Sequence, residues 1–189
     1  MPVKNPAWIA QKFGPNPLAS INKIYTDMGM VGHNGWDIVG GTGQDCRAAH
    51  DGIVTFAGVD SGGGIGIVIR TEEPMEDTEG NQSYFKSIYW HLLPGSIKVT
   101  VGTRVKVGDI IGRCDSSGPN VTGSHVHFGL KKIAPGESEW VWDNINQNNG
   151  YFGAIDPEPY FSNYFAEDFQ KIGGIMQQLL ALLKKLTGK

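Results

Sequence analysis

AAHDGIVTFAGVDSGGGIGIVIR, residues 48–70, sets two β-prone runs, Ile53–Val59 and Ile65–Arg70, on either side of the breaker Ser61–Gly64. Runs rich in β-branched residues and bounded by glycine clusters read as consecutive strands joined by tight turns. The same rhythm continues to residue 132. Tyr84–Leu93, Ile97–Val101, Val105–Gly112 and His125–Lys132 are further strand candidates, punctuated by Pro94-Gly95, Val107–Asp109 and Ser116–Asn120. No helical period interrupts them. Short strands without alternating helices predict a mainly β protein, an antiparallel sandwich or barrel-like scaffold. Residues 71–82, TEEPMEDTEGNQ, hold five acids and are expected to form a solvated hairpin tip.

The flanks read differently. Residues 134–165 are aromatic, Asn-rich and interrupted by proline, which predicts a loop region wrapped on the core. Beyond them Phe169, Ile172, Ile175, Met176, Leu179, Leu182, Leu183 and Leu186 follow the spacing of an amphipathic helix. The chain therefore reads as one domain, 1–165, followed by a C-terminal helix, 166–189. That helix is expected to dock on its own domain or on a second copy, the alternative being a helix for a membrane surface or another partner.

The 189 residues suffice for one packed core. A net charge of −3 argues against a nucleic-acid partner. No apolar run reaches the ~18 residues that cross a bilayer. The start, MPVKNPAWIAQKF, lacks the apolar stretch of a signal peptide. Two cysteines, Cys46 and Cys114, cannot form a disulfide framework and read as reduced thiols.

Four of the five histidines fall in three informative segments, G32-H-N-G-W-D37, I88-Y-W-H-L92 and G123-S-H-V-H-F128. His50 lies outside them and reads as a surface turn residue. On an extended chain residues i and i+2 share a face. His125 and His127 then oppose Val126, Phe128 and Leu130. His33 and Asp37 likewise oppose Trp36 and Ile38, and Tyr89 and His91 oppose Ile88, Trp90 and Leu92. Each segment offers an apolar side to a core and an imidazole side to something else. Imidazoles with one carboxylate suit zinc, which in catalytic sites takes three protein ligands and keeps one position open. Four histidines and Asp37 exceed that need, so the surplus is available as general acid or base.

H33-N-G-W-D37, Y89-W-H91-L and H125-V-H127-F, in that order, resemble the lysostaphin-like or LytM-type zinc metallopeptidases that cut peptidoglycan peptides. The segments A48-A-H-D-G52-I-V, V105-K-V-G-D-I-I-G112 and D115-S-S-G118 are similar to the text between that family's motifs. Ser124 and Val126 stand where the family commonly has proline and leucine. The resemblance implies an antiparallel β scaffold with a groove and one zinc bound by His33, Asp37 and His127. It also implies His91 and His125 as catalytic groups and a bacterial cell-wall peptide as substrate, in stem or cross-bridge. The N-terminal text Q11-K-F-G-P-N-P is similar to phage-type members, which implies a phage or prophage lysin acting at the wall. Two other readings compete. One is a family member without activity that binds peptidoglycan or activates a partner. The other is a carrier-like module, because Val105–Gly112 also resembles biotinyl and lipoyl hairpins; the turn Val107-Gly108-Asp109 carries no lysine for such a role.

Overall fold

A computed structural model describes residues 2–4, 7–119, 121–136 and 142–161. Its elements are β1 (Trp8–Gln11), α1 (Ala19–Asp27), β2 (Trp36–Val39), β3 (Asp45–Arg47), β4 (Gly52–Asp60), β5 (Gly64–Arg70), β6 (Met75–Glu76), β7 (Gln82–Trp90), β8 (Arg104–Val105), β9 (Ile110–Arg113), β10 (His125–Pro135), β11 (Trp142–Asn144), β12 (Ala154–Ile155) and α2 (Glu158–Phe161). The chain divides into two compact units after Pro157, and α2 is the described part of the second. The C-terminal helix expected over 166–189 lies outside the described residues.

The mainly β, antiparallel expectation is borne out. One sheet runs β1-β2-β10-β7-β5-β4-β8, with β6 paired to β7 and β11 and β12 paired to β10. It stays open, with β1 and β8 at the ends of that path, rather than closing into a barrel. Strands β3 and β9 form a separate two-stranded ladder. Period-two alternation divides the large sheet into two faces. Trp36, Ile38, Ile67, Ile69, Phe85, Tyr89, Val126 and Phe128 are all at most 1% exposed on one of them. Phe128 stands at the centre of that layer, 5.4 Å from the ring of Tyr89 and 6.4 Å from that of Trp36. Each such buried side chain contributes about 1.5–3 kcal/mol from water exclusion. The β3–β9 ladder covers this face, with Leu92 and Ile67 packed beneath Gly112.

Several local expectations are corrected. Residues 97–100 are not a strand, because Lys98 donates one backbone bond to Ile111 and Thr100 turns back onto Thr103. Part of the region 134–165 is not loop, since β11 and β12 extend the sheet alongside β10. The acidic hairpin is not wholly solvated. Asp77 is buried and accepts bonds from the amides of Glu79 and Asn81, Ser83 Oγ and Lys132 Nζ.

His50 is not a surface residue either; it is 6% exposed. Its Nδ1 lies 2.8 Å from the Asp51 carbonyl and its Nε2 lies 2.8 Å from Ser87 Oγ. A carbonyl only accepts, so Nδ1 carries the proton and Nε2 receives the Ser87 hydroxyl. Tyr89 Oη, 2.9 Å from Ser87 Oγ, takes the Ala49 amide at 2.9 Å and completes the chain. Burial pushes the His50 imidazole below its ordinary value, which keeps it neutral.

Candidate metal centre

The opposite face of the sheet gathers the other four histidines. Register sets Asp37 of β2 against His127 of β10, and His127 against Trp90 of β7. Residues directly opposite one another in a ladder share a face, so Asp37, His127 and Trp90 form one row. His33 enters just before β2, fixed by the paired backbone bonds between Gly14 and His33. Gly35 makes the row possible. A Cβ there would stand 2.6 Å from the Phe128 carbonyl and 2.9 Å from His127 Nε2.

Three donor atoms converge. His33 Nε2 lies 3.0 Å from His127 Nδ1 and 3.1 Å from Asp37 Oδ1, and His127 Nδ1 lies 3.2 Å from Asp37 Oδ1. Tetrahedral zinc with ligand bonds of about 2.0–2.1 Å spaces its donors about 3.3 Å apart, so this triangle fits the ion. The tautomers fit as well. His33 Nδ1, His91 Nδ1 and His125 Nδ1 each donate to a backbone carbonyl, of Lys12, Ser117 and Gly123, at 3.1, 2.8 and 2.8 Å. Each neutral ring is thereby left with a lone pair on Nε2. Carbonyl bonds of this kind commonly fix the orientation of ligating and catalytic histidines.

His91 and His125 stand beside the triangle, their rings 4.8 Å apart, and His125 Nε2 lies 3.6 Å from Asp37 Oδ1. Burial would raise the Asp37 carboxyl, but the His127 and His33 imidazoles beside it outweigh burial and hold it well below the usual carboxylate range. Burial pushes His91 down to about 4 and lowers His127 as well, so both stay neutral near pH 7.

All five expected site residues therefore meet on one face, but His91 does not arrive as expected. Tyr89 points into the core, and β7 ends at Trp90. His91 then adopts a φ of 68°, which turns its ring to the site while Leu92 returns to the core. Trp90 occupies the site face instead. A Cβ at Gly66 would fall inside its indole, and one at Gly63 would stand 2.5 Å from it. The sequence reading also missed Tyr25 of α1, whose ring lies 5.5 Å from His33. Burial, and then the Asp37 charge, push its phenol up to about 12, so it remains protonated.

An open antiparallel sheet thus sets a His-Asp-His triangle and two further imidazoles on one face, the donor set of a candidate metal centre in a β protein. Comparison narrows the class. The model for Peptidase family M23 matches residues 31–141, and the chain belongs to that family. It is similar to the catalytic domain of the antimicrobial peptidase lysostaphin from Staphylococcus simulans, at TM-score 0.56 and 26% identity, covering 82% of this chain and 92% of that one. A structure of LytU is similar at TM-score 0.54 and 27% identity, over 82% of this chain and 84% of that one. A zinc containing peptidase from Vibrio cholerae shares the fold at TM-score 0.53 and 23% identity, over 82% of this chain and 39% of that one. No curated protein matches the chain. The lysostaphin-type resemblance read from the three histidine motifs is borne out.

Proposed function

We propose that this protein is a zinc-dependent endopeptidase that hydrolyses peptide bonds in the stem peptides or cross-bridges of bacterial peptidoglycan. The observation that carries the reading is the 3.0–3.2 Å triangle of His33 Nε2, Asp37 Oδ1 and His127 Nδ1 in a member of a peptidase family. The solved relatives support it, being named as an antimicrobial peptidase and a zinc containing peptidase.

His33, Asp37 and His127 would hold the ion, and the ion would supply Lewis acidity toward the scissile carbonyl and acidify the attacking water. The chain's own residues do the rest. His91 and His125, anchored through Nδ1, present Nε2 lone pairs, one of which accepts the water proton. The imidazolium so formed returns that proton to the leaving amine nitrogen. Trp90, opposite His127 in the ladder, gives the peptide an apolar bed on which to lie. The test is digestion of purified peptidoglycan with mass spectrometry of the fragments. Release of new amino termini that stops on chelation and returns with zinc is expected. Persistent cleavage in chelator, or intact peptidoglycan with zinc supplied, overturns the reading.

A further inference from the structure

The face that carries the candidate metal centre also carries a row of cations. Lys131 of β10 stands directly opposite Lys86 of β7, and Lys86 directly opposite Arg70 of β5. Residues 127, 129 and 131 share one face of β10, so this row lies on the side of His127. Four residues of strand place it about 13 Å from the His127 row. Between the two rows stand Gly129, Ile88 and Val68, in register with one another and without charge.

Like charges set directly opposite each other in a ladder are destabilising, so such a row calls for an explanation. The internal partners described are few. Lys131 Nζ donates to the Phe152 carbonyl at 2.5 Å, which satisfies a donor without neutralising the charge. Arg70 bonds the Thr71 carbonyl and lies 4.2 Å over the Trp142 ring, while its buried Nε has no hydrogen-bond partner among the described residues. Asp143 is the acid whose charge acts on Lys86. Burial, and then repulsion from Lys86, push the Lys131 ammonium down to about 8, the behaviour of a cation short of an anion. Both lysines and Arg70 are half-buried, which leaves them within reach of a ligand lying on that face.

The geometry points to Lys131, Lys86 and Arg70 as an anion subsite that binds a carboxylate of the peptide substrate about four residues from the bond that is cut. This inference rests on the peptidase reading. An extended peptide spans about 3.3–3.6 Å per residue, so four residues cover the 13 Å between the rows. Its backbone would cross Trp90 and Ile88 on the way. The carboxylate is either a peptide's terminal group or a side chain, and both present the same planar acceptor.

The test uses peptides containing the bond that the protein cuts, with Glu or Gln placed two, four or six residues from it. A second pair ends four residues away in a free carboxylate or a carboxamide. For each, kcat and KM are measured on the zinc-loaded protein and Kd on the metal-free protein. The acid at four residues is expected to lower KM and Kd roughly tenfold against its neutral twin, the size of one partly exposed charge-assisted contact, with kcat unchanged. The arm that shows the gain identifies the source of the carboxylate. A Lys86→Met, Lys131→Met double variant should lose the gain and handle the neutral peptides as the wild type does. Equal handling of acid and neutral peptides by the wild type overturns the subsite, as does a gain that survives in the double variant. Absence of all cleavage overturns the peptidase reading instead, and the Kd comparison still decides the subsite.

Discussion

His91 Nδ1 donates a 2.8 Å hydrogen bond to the carbonyl of Ser117, and His91 does so from a left-handed backbone with φ of 68°. The two facts belong together. Ser117 Oγ also accepts the Ile65 amide at 3.0 Å, so the loop that orients the imidazole is stitched to β5. A non-glycine residue in that region costs of order 1 kcal/mol, and such strain persists where the surroundings enforce it. Here the surroundings aim one ring at the candidate site.

The first prediction isolates that strain. His91→Ala and His91→Gly both remove the imidazole and its bond to Ser117, so both should retain zinc and lose cleavage. Only glycine accepts a positive φ freely, and His91→Gly should be about 1 kcal/mol more stable than His91→Ala. Urea unfolding of the two variants measures the difference; equal stability would contradict the strain, and normal cleavage by either would contradict the role.

Gly35 yields a second prediction. Gly35→Ala places a methyl against the Phe128 carbonyl and the ring of His127, a candidate ligand. Zinc affinity should fall by roughly 10–100-fold, the effect of disturbing what orients a ligand. Competition with a chelator of known affinity reads it, and an unchanged constant would show that β2 and β10 yield easily.

The His50 network makes stability depend on pH. Burial depresses this imidazole, so folded His50 refuses a proton that the unfolded chain takes up near its ordinary value of about 6.5. The stability it contributes is complete above that pH and is lost as pH falls below it. Measured by urea unfolding, the gap between wild type and His50→Gln should narrow from pH 7.5 to 5.5, by at most about 1.4 kcal/mol per pH unit. A gap that stays constant, or widens in acid, would contradict the neutral chain through Ser87 and Tyr89.

The parts of this molecule that were readable in the sequence are those governed by period two. His125 and His127 alternate with Val126 and Phe128, and the strand obeys. Asp37 alternates with Trp36 and Ile38 in the same way. What escaped was set by distant partners. The side of β7 that faces the core is chosen by Phe128 across the ladder, and His91 reaches the site only by a turn that the loop at Ser117 enforces. His50 looked like a turn residue because its partner, Ser87, is 37 positions away. Helix α1 carries no buried residue, so no apolar stripe announced it. Ile97–Val101 has β propensity but makes one backbone bond to β9, from Lys98, and propensity alone does not make a ladder.

Zinc stoichiometry tests the central claim most directly: that His33, Asp37 and His127 hold one metal ion between them. Protein saturated with zinc, freed of excess and analysed for metal should carry one ion per chain, with almost none in Asp37→Ala or His127→Ala of proven fold. A wild type that holds no zinc, or ligand variants that hold as much as the wild type, would contradict it.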